Sequence, residues 1–141
     1  MKNKSIHIAS AILFSLLLSM SLFSQNTTST LSLLKGKKWE MLFPSEKLYK
    51  VTEIYSNDTI IHTFTFNGTN VPLFELFYLS DSIDYNFNPA KIGQYQNGRY
   101  IIIKNIRNNE VSVLEIISLS SGFVEFKNIA NRELVIKYQV K

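Results

Sequence analysis

Residues 59–69 read TIIHTFTFNGT. Ile60, His62, Phe64 and Phe66 fall on one side of an extended chain, and Ile61, Thr63 and Thr65 on the other. This period of two suits a strand and not a helix. Asn67-Gly68 ends the run with residues that tolerate positive φ, a strong short-range signal for a hairpin. The same rhythm extends in both directions. Upstream, Trp39, Met41 and Phe43 alternate with Lys38, Glu40 and Leu42 until Pro44 and Ser45, and LYKVTEIY from Leu48 runs to Ser56, Asn57 and Asp58. Downstream, Asn97-Gly98 lies between GQYQ and RYIIIKNI and is expected to form a second hairpin turn. Arg107–Glu110 then turns the chain into VSVLEIISL, and FVEFKN with LVIKYQV forms the last pair. About nine extended runs result, with turn signals every ten residues or so.

Sequential hairpins with short links place neighbouring strands side by side, and a sheet of this many strands must close or fold into two layers. The expected fold is therefore all-β, an up-and-down antiparallel β-barrel of about eight strands. Only Thr28–Leu34 suits a turn or two of helix, with Thr28 or Thr30 as its cap and Gly36 beyond its end; it is expected to lid the barrel. No repeat, linker or low-complexity tract divides residues 25–141, which are read as a single domain.

The amino terminus sets the location. Lys2 and Lys4 precede the uncharged apolar run from Ala11 to Phe23, and Ser24-Gln25 follows, the order of a secretory signal in residues 1–24. The apolar run is short for a bilayer span, so no stable membrane insertion is expected once the signal is cut. The mature protein is expected to be periplasmic or extracellular. The chain has no cysteine, which excludes a disulfide framework, a thiolate metal site and a lipid-modified cysteine. Its 15 basic and 11 acidic residues become 13 and 11 without Lys2 and Lys4, a net charge of +2 with scattered lysines. That balance gives no basic stripe for nucleic acid.

The signal, the short apolar helical turn, Gly36-Lys37-Lys38-Trp39 entering the first strand and the meander of hairpins together resemble the lipocalin and calycin barrels. FYLSDSI at 77–83 and KIGQYQNGRYIII at 91–103 are similar to small lipocalin-like proteins exported by Bacteroidota. The resemblance implies a barrel with a mouth at one end that holds a small apolar ligand.

Trp39 then has two readings, a plug for the end of the core or a ligand contact, and burial preference favours the plug. Phe64, Phe66, Phe74, Tyr78 and Phe126 are expected to face inward and, with Trp39, to line a cavity if the barrel is hollow. Eight phenylalanines after Gln25 argue for a filled interior. Catalysis has little to draw on. His7 leaves with the signal, and His62 reads as a neutral, hydrogen-bonded core histidine with no nucleophile motif beside it. Glu53, Glu75 and Glu115 each interrupt an apolar strand, and any one of them pointing inward would hold a polar ligand. Asp81 and Asp84 lack an ion-binding loop pattern and read as a solvated loop, so neither a metal nor a cofactor is called.

Asn26-Thr27-Thr28, Asn57-Asp58-Thr59 and Asn67-Gly68-Thr69 match the acceptor for N-linked sugar, and Asp58-Thr59-Ile60 and Asp81-Ser82-Ile83 resemble a short O-glycosylation motif. The long connection Ser80–Asn97 is the expected partner-binding loop, through Asp81, Asp84, Tyr85, Phe87, Pro89 and Tyr95, and is expected to share a contact surface with the mouth. Two functions remain open: a monomeric carrier of a small apolar ligand, or an inhibitor of a secreted protease that presents a rigid loop. A structural module of the envelope is the third reading.

Overall fold

In the computed structural model, which describes residues 28–43 and 48–141, eight antiparallel strands run in chain order around a closed barrel. They are β1 (Lys38–Leu42), β2 (Tyr49–Tyr55), β3 (Thr59–Phe66), β4 (Thr69–Ser80), β5 (Tyr100–Asn105), β6 (Val111–Leu119), β7 (Phe123–Asn128) and β8 (Val135–Val140). β8 returns to β1 with Trp39 opposite Val140 and Met41 opposite Tyr138, so no sheet edge is left open. The all-β meander read from the alternation is the fold observed. The signal segment and Pro44-Ser45 lie outside the described residues.

Residues 59–69 behave as their pattern requires. Phe66 pairs with Thr69 across Asn67-Gly68, whose φ angles are 47° and 77°, the doubly positive geometry of a tight hairpin. The second Asn-Gly pair does not repeat it. Gly98 has no positive φ, and a Cβ placed there would meet the Ser80 backbone nitrogen at 2.6 Å. This glycine is used for close approach of two backbones. GQYQ consequently lies outside the strands, within a connection that contains a single 3-10 turn at Pro89–Lys91, and eight strands replace the nine expected runs.

Short helix α1, Thr30–Leu34, lids one end of the barrel. Its cap is Ser29, not Thr28 or Thr30: the Ser29 hydroxyl accepts a hydrogen bond from the Ser32 backbone N–H. Leu31 and Leu34 are buried in the same cluster as Trp39, Tyr55, Phe77 and Phe126. The Leu31 and Thr30 backbone N–H groups donate to the Gln96 carbonyl and the Asn97 side chain, which ties the lid to the end of the long connection.

Strand direction distinguishes two ends. β2 leads away from α1 when read backwards from Tyr55 to Tyr49, and β4 leads towards it from Thr69 to Ser80. The lidded end therefore carries the turns at 56–58 and 120–122 together with the 81–99 connection. The opposite end carries the 67–68 hairpin and the turns at 106–110 and 129–134.

Candidate functional site

Alternation decides which side chains reach the interior. At the lidded end these are Trp39, Tyr55, Phe77, Leu79, Ile101, Val124 and Phe126, all buried in one cluster. The Trp39 indole N–H donates to the Leu34 carbonyl at 2.8 Å, so the ring is held by the helix it packs against. Its fully buried place gives Trp39 the plug role. Tyr55 meets Phe77 edge-on at 5.7 Å, and Phe126 meets Tyr138 at 6.0 Å.

Towards the other end the interior is not filled. A cavity of about 220 Å³ lies against Met41, Val51, Phe64, Ile103, Leu114 and Ile136, with Glu53, His62, Glu75, Ser112, Asn128 and Tyr138 as its polar lining. Phe64 is 40% exposed and stands at the mouth. Phe66, two residues nearer the hairpin on the same strand, is half exposed and lies beyond the cavity lining. Leu48, Tyr49, Val71, Ile106 and Leu134 are also exposed around this end and give it an apolar rim.

The polar floor is one connected network. Glu53 accepts from the hydroxyls of Tyr55, at 2.6 Å, and Tyr138, and from His62 Nδ1 at 3.0 Å. His62 Nε2 lies 2.7 Å from Glu75 Oε2, and the Asn105 amide donates to Glu75 Oε1 at 3.3 Å. Both imidazole nitrogens lie within hydrogen-bond distance of carboxyl oxygens, an arrangement that favours a doubly protonated ring. Burial alone would lower the His62 pKa, but the hydrogen bonds to Glu53 and Glu75 and their charges raise it to about 10. This environment favours an imidazolium over the neutral histidine expected from the strand pattern. Burial, followed by the charge of Glu53, pushes the Tyr55 and Tyr138 hydroxyls up as well, so both remain neutral donors. Because the two ring nitrogens point to different carboxylates, the three groups do not converge. Among the described residues no group of three such side chains is disposed to hold a metal ion.

Several sequence expectations change here. Phe74 and Tyr78 do not face inward. Phe74 pairs with Ile61, opposite in parity to the inward Ile60–Glu75 pair, and is 48% exposed on the outer surface. Tyr78 lies between the inward Phe77 and Leu79 and is buried from the outside, in a second cluster with Ile102 and Val113. Of the three glutamates, Glu53 and Glu75 point inward, whereas Glu115 binds the exposed Arg99. Phe126 is interior, but it fills the core below the cavity.

The Ser80–Asn97 connection is a strap laid over that outer cluster. Phe87 packs on Tyr78 at 5.1 Å, the Tyr78 hydroxyl donates to Asp84 at 3.1 Å, and Lys91 binds Asp84 at 3.0 Å. The hydrogen bond from Lys91 holds the Asp84 carboxyl below its usual range. Asp84 and Phe87 therefore hold the strap down, Pro89 opens its 3-10 turn, and Asp81, Tyr85 and Tyr95 remain exposed. Asp81 and Tyr95 border a surface recess with Ser80, Ser82 and Lys91. The strap leaves and rejoins the barrel at the lidded end and runs over its outer face as far as Phe87, which lies against Lys104 and in one cluster with Val111 and Ile129.

No family model, curated protein or solved structure matches the chain.

Proposed function

We propose that this chain is a non-catalytic β-barrel binding protein that holds a small, largely apolar ligand in the open half of its barrel. The observation that carries this reading is the half-empty interior. Aromatic residues fill the barrel below Glu53 and His62, yet above them a cavity of about 220 Å³ has apolar walls and opens at an apolar rim. Ligand sites combine apolar walls with a few placed polar groups in this way, and the volume, below the usual range of roughly 300–1,000 Å³, sets the ligand as small. Glu53, His62, Glu75 and Tyr138 are tied into one hydrogen-bonded network that fixes a charge pattern at the floor. The meander with its basal helix fits the lipocalin-like resemblance, and the amino-terminal pattern supports an exported, periplasmic or extracellular carrier that works as a monomer.

Native mass spectrometry of protein purified from its own host tests the reading. The expected result is a small adduct that leaves on gentle activation. An empty barrel that forms a one-to-one complex with a secreted protease would replace the carrier with the inhibitor, and the strap residues Tyr85 and Tyr95 would then be the contacts to map.

A further inference from the structure

The charges lining the cavity do not cancel. Two carboxylates, Glu53 and Glu75, share one imidazole, and no lysine or arginine lines the cavity. With His62 protonated the floor carries a formal charge of −1. The two carboxylates differ in what they lack. Glu53 receives three donors, from Tyr55, Tyr138 and His62, and its side chain is 5% exposed. Glu75 receives His62 on one oxygen and only the 3.3 Å bond from Asn105 on the other, and its side chain is 14% exposed and lines the cavity. Glu75 Oε1 is thus the acceptor with capacity to spare, at the base of a space walled by Met41, Phe64, Leu114 and Ile136.

Resting on the reading that the cavity takes a ligand, we infer that the ligand is a small organic cation, an apolar body with an ammonium group that donates to Glu75. The body replaces water against the side-chain walls, and the ammonium supplies the positive charge the floor lacks. A desolvated anion beside an unbalanced carboxylate is unfavourable, and a neutral polar group leaves the net charge uncompensated. The ammonium offers three donors and can occupy Glu75 Oε1 without displacing His62 or Asn105.

Three probes of equal chain length separate charge from shape: n-hexylamine, n-hexanol and n-hexanoate, each titrated into the folded protein at neutral pH by calorimetry. The expected result is that the amine binds about ten-fold or more tightly than the alcohol, the difference associated with a hydrogen bond to a charged partner, and that hexanoate binds least. In Glu75→Gln the amine and the alcohol should bind alike. If Glu75→Gln does not fold, backbone amide shifts of the native protein decide the location: the amine should move His62, Glu75 and Asn105, and shifts confined to the outer strap would overturn the inference. Equal binding of all three probes overturns the charge preference but leaves the cavity reading standing. Binding of none overturns both.

Discussion

Beneath α1 the barrel interior is a stack of Trp39, Tyr55, Phe77 and Phe126 with hydrogen bonds only at its margins, whereas the half that opens away from α1 holds a cavity and a Glu–His–Glu chain. Both halves are built by the same eight strands and the same alternation. They differ in what the inward positions carry. In an eight-stranded barrel the interior just accommodates side chains, so large aromatic rings at every layer leave no void. Around the cavity the inward positions carry the aliphatic groups Met41, Val51, Leu114 and Ile136, Phe64 stands at the mouth, and the two glutamates hold their polar atoms on His62. One end consequently supplies stability and the other supplies room. That division gives three ways to break the comparison.

The largest effect is expected at the plug. Trp39 is fully buried, and its N–H holds the Leu34 carbonyl of the lid. Trp39→Ala removes a ring from a packed core and leaves that carbonyl without its partner. A loss of about 3–5 kcal/mol in unfolding free energy is expected from chemical denaturation. A loss under about 1 kcal/mol would mean that the lidded half is not the stabilising half.

Next comes the network at the boundary between the halves. The His62 pKa is raised from 6.5 to about 10, so folding binds a proton that the unfolded chain releases in this range. The resulting stabilisation is fully present below pH 6.5 and is lost as pH rises towards 10. Tyr55 and Tyr138 are also raised, which extends the decline above the ordinary tyrosine range. Unfolding free energies measured by chemical denaturation from pH 6 to pH 10 should fall, by roughly 2–4 kcal/mol overall once partial solvent access is discounted. In His62→Gln this slope should flatten, while the protein is less stable at pH 6 because the buried Glu53 and the partly buried Glu75 lose the cation between them. A flat native profile would show that His62 is neutral and that the ring contacts are not ion pairs.

The barrel itself was legible in the sequence because strand alternation and a two-residue Asn-Gly turn are local signals that tertiary packing had no reason to overrule. The Asn67-Gly68 turn even fixes the β3–β4 register: with Phe66 opposite Thr69, Ile60 must face Glu75 and Ile61 must face Phe74. Carried through, that register puts Glu75 on the inward face with His62 and turns Phe74 outward, so the misplaced Phe74 was a readable error. Glu53 was readable in part, since it alternates with the inward Val51 and Tyr55. What the sequence does not carry is the charge state of His62. It depends on two carboxylates from different strands meeting one ring, which is a matter of distances. The burial of Tyr78 was equally hidden, because an outward position in a barrel strand normally meets water, and here the strap covers it through Phe87 and Asp84. Asn97-Gly98 shows the limit of a local signal. The dipeptide permits a tight hairpin, but contact of Gly98 with the Ser80 backbone and the tie from α1 to Asn97 use it otherwise.

The smallest expected change in stability comes at the mouth, and it separates the halves most sharply. Phe64 faces the cavity on the inward side of β3, yet 40% of it is exposed, so truncation removes little packing from the folded state. Phe64→Ala should cost about 1 kcal/mol or less, against several for Trp39→Ala. Its effect on ligand retention should run the other way. The ring is the aromatic wall of the cavity nearest solvent, and its removal opens the site to water and takes away contact area for an apolar ligand body. The adduct seen by native mass spectrometry should therefore be lost or dissociate faster from Phe64→Ala, while Phe74→Ala, one strand away and pointing outward, should retain it. Equal retention by both variants would place the ligand outside the barrel, whereas a collapse of stability in Phe64→Ala would mean that the open half is packed like the lidded one.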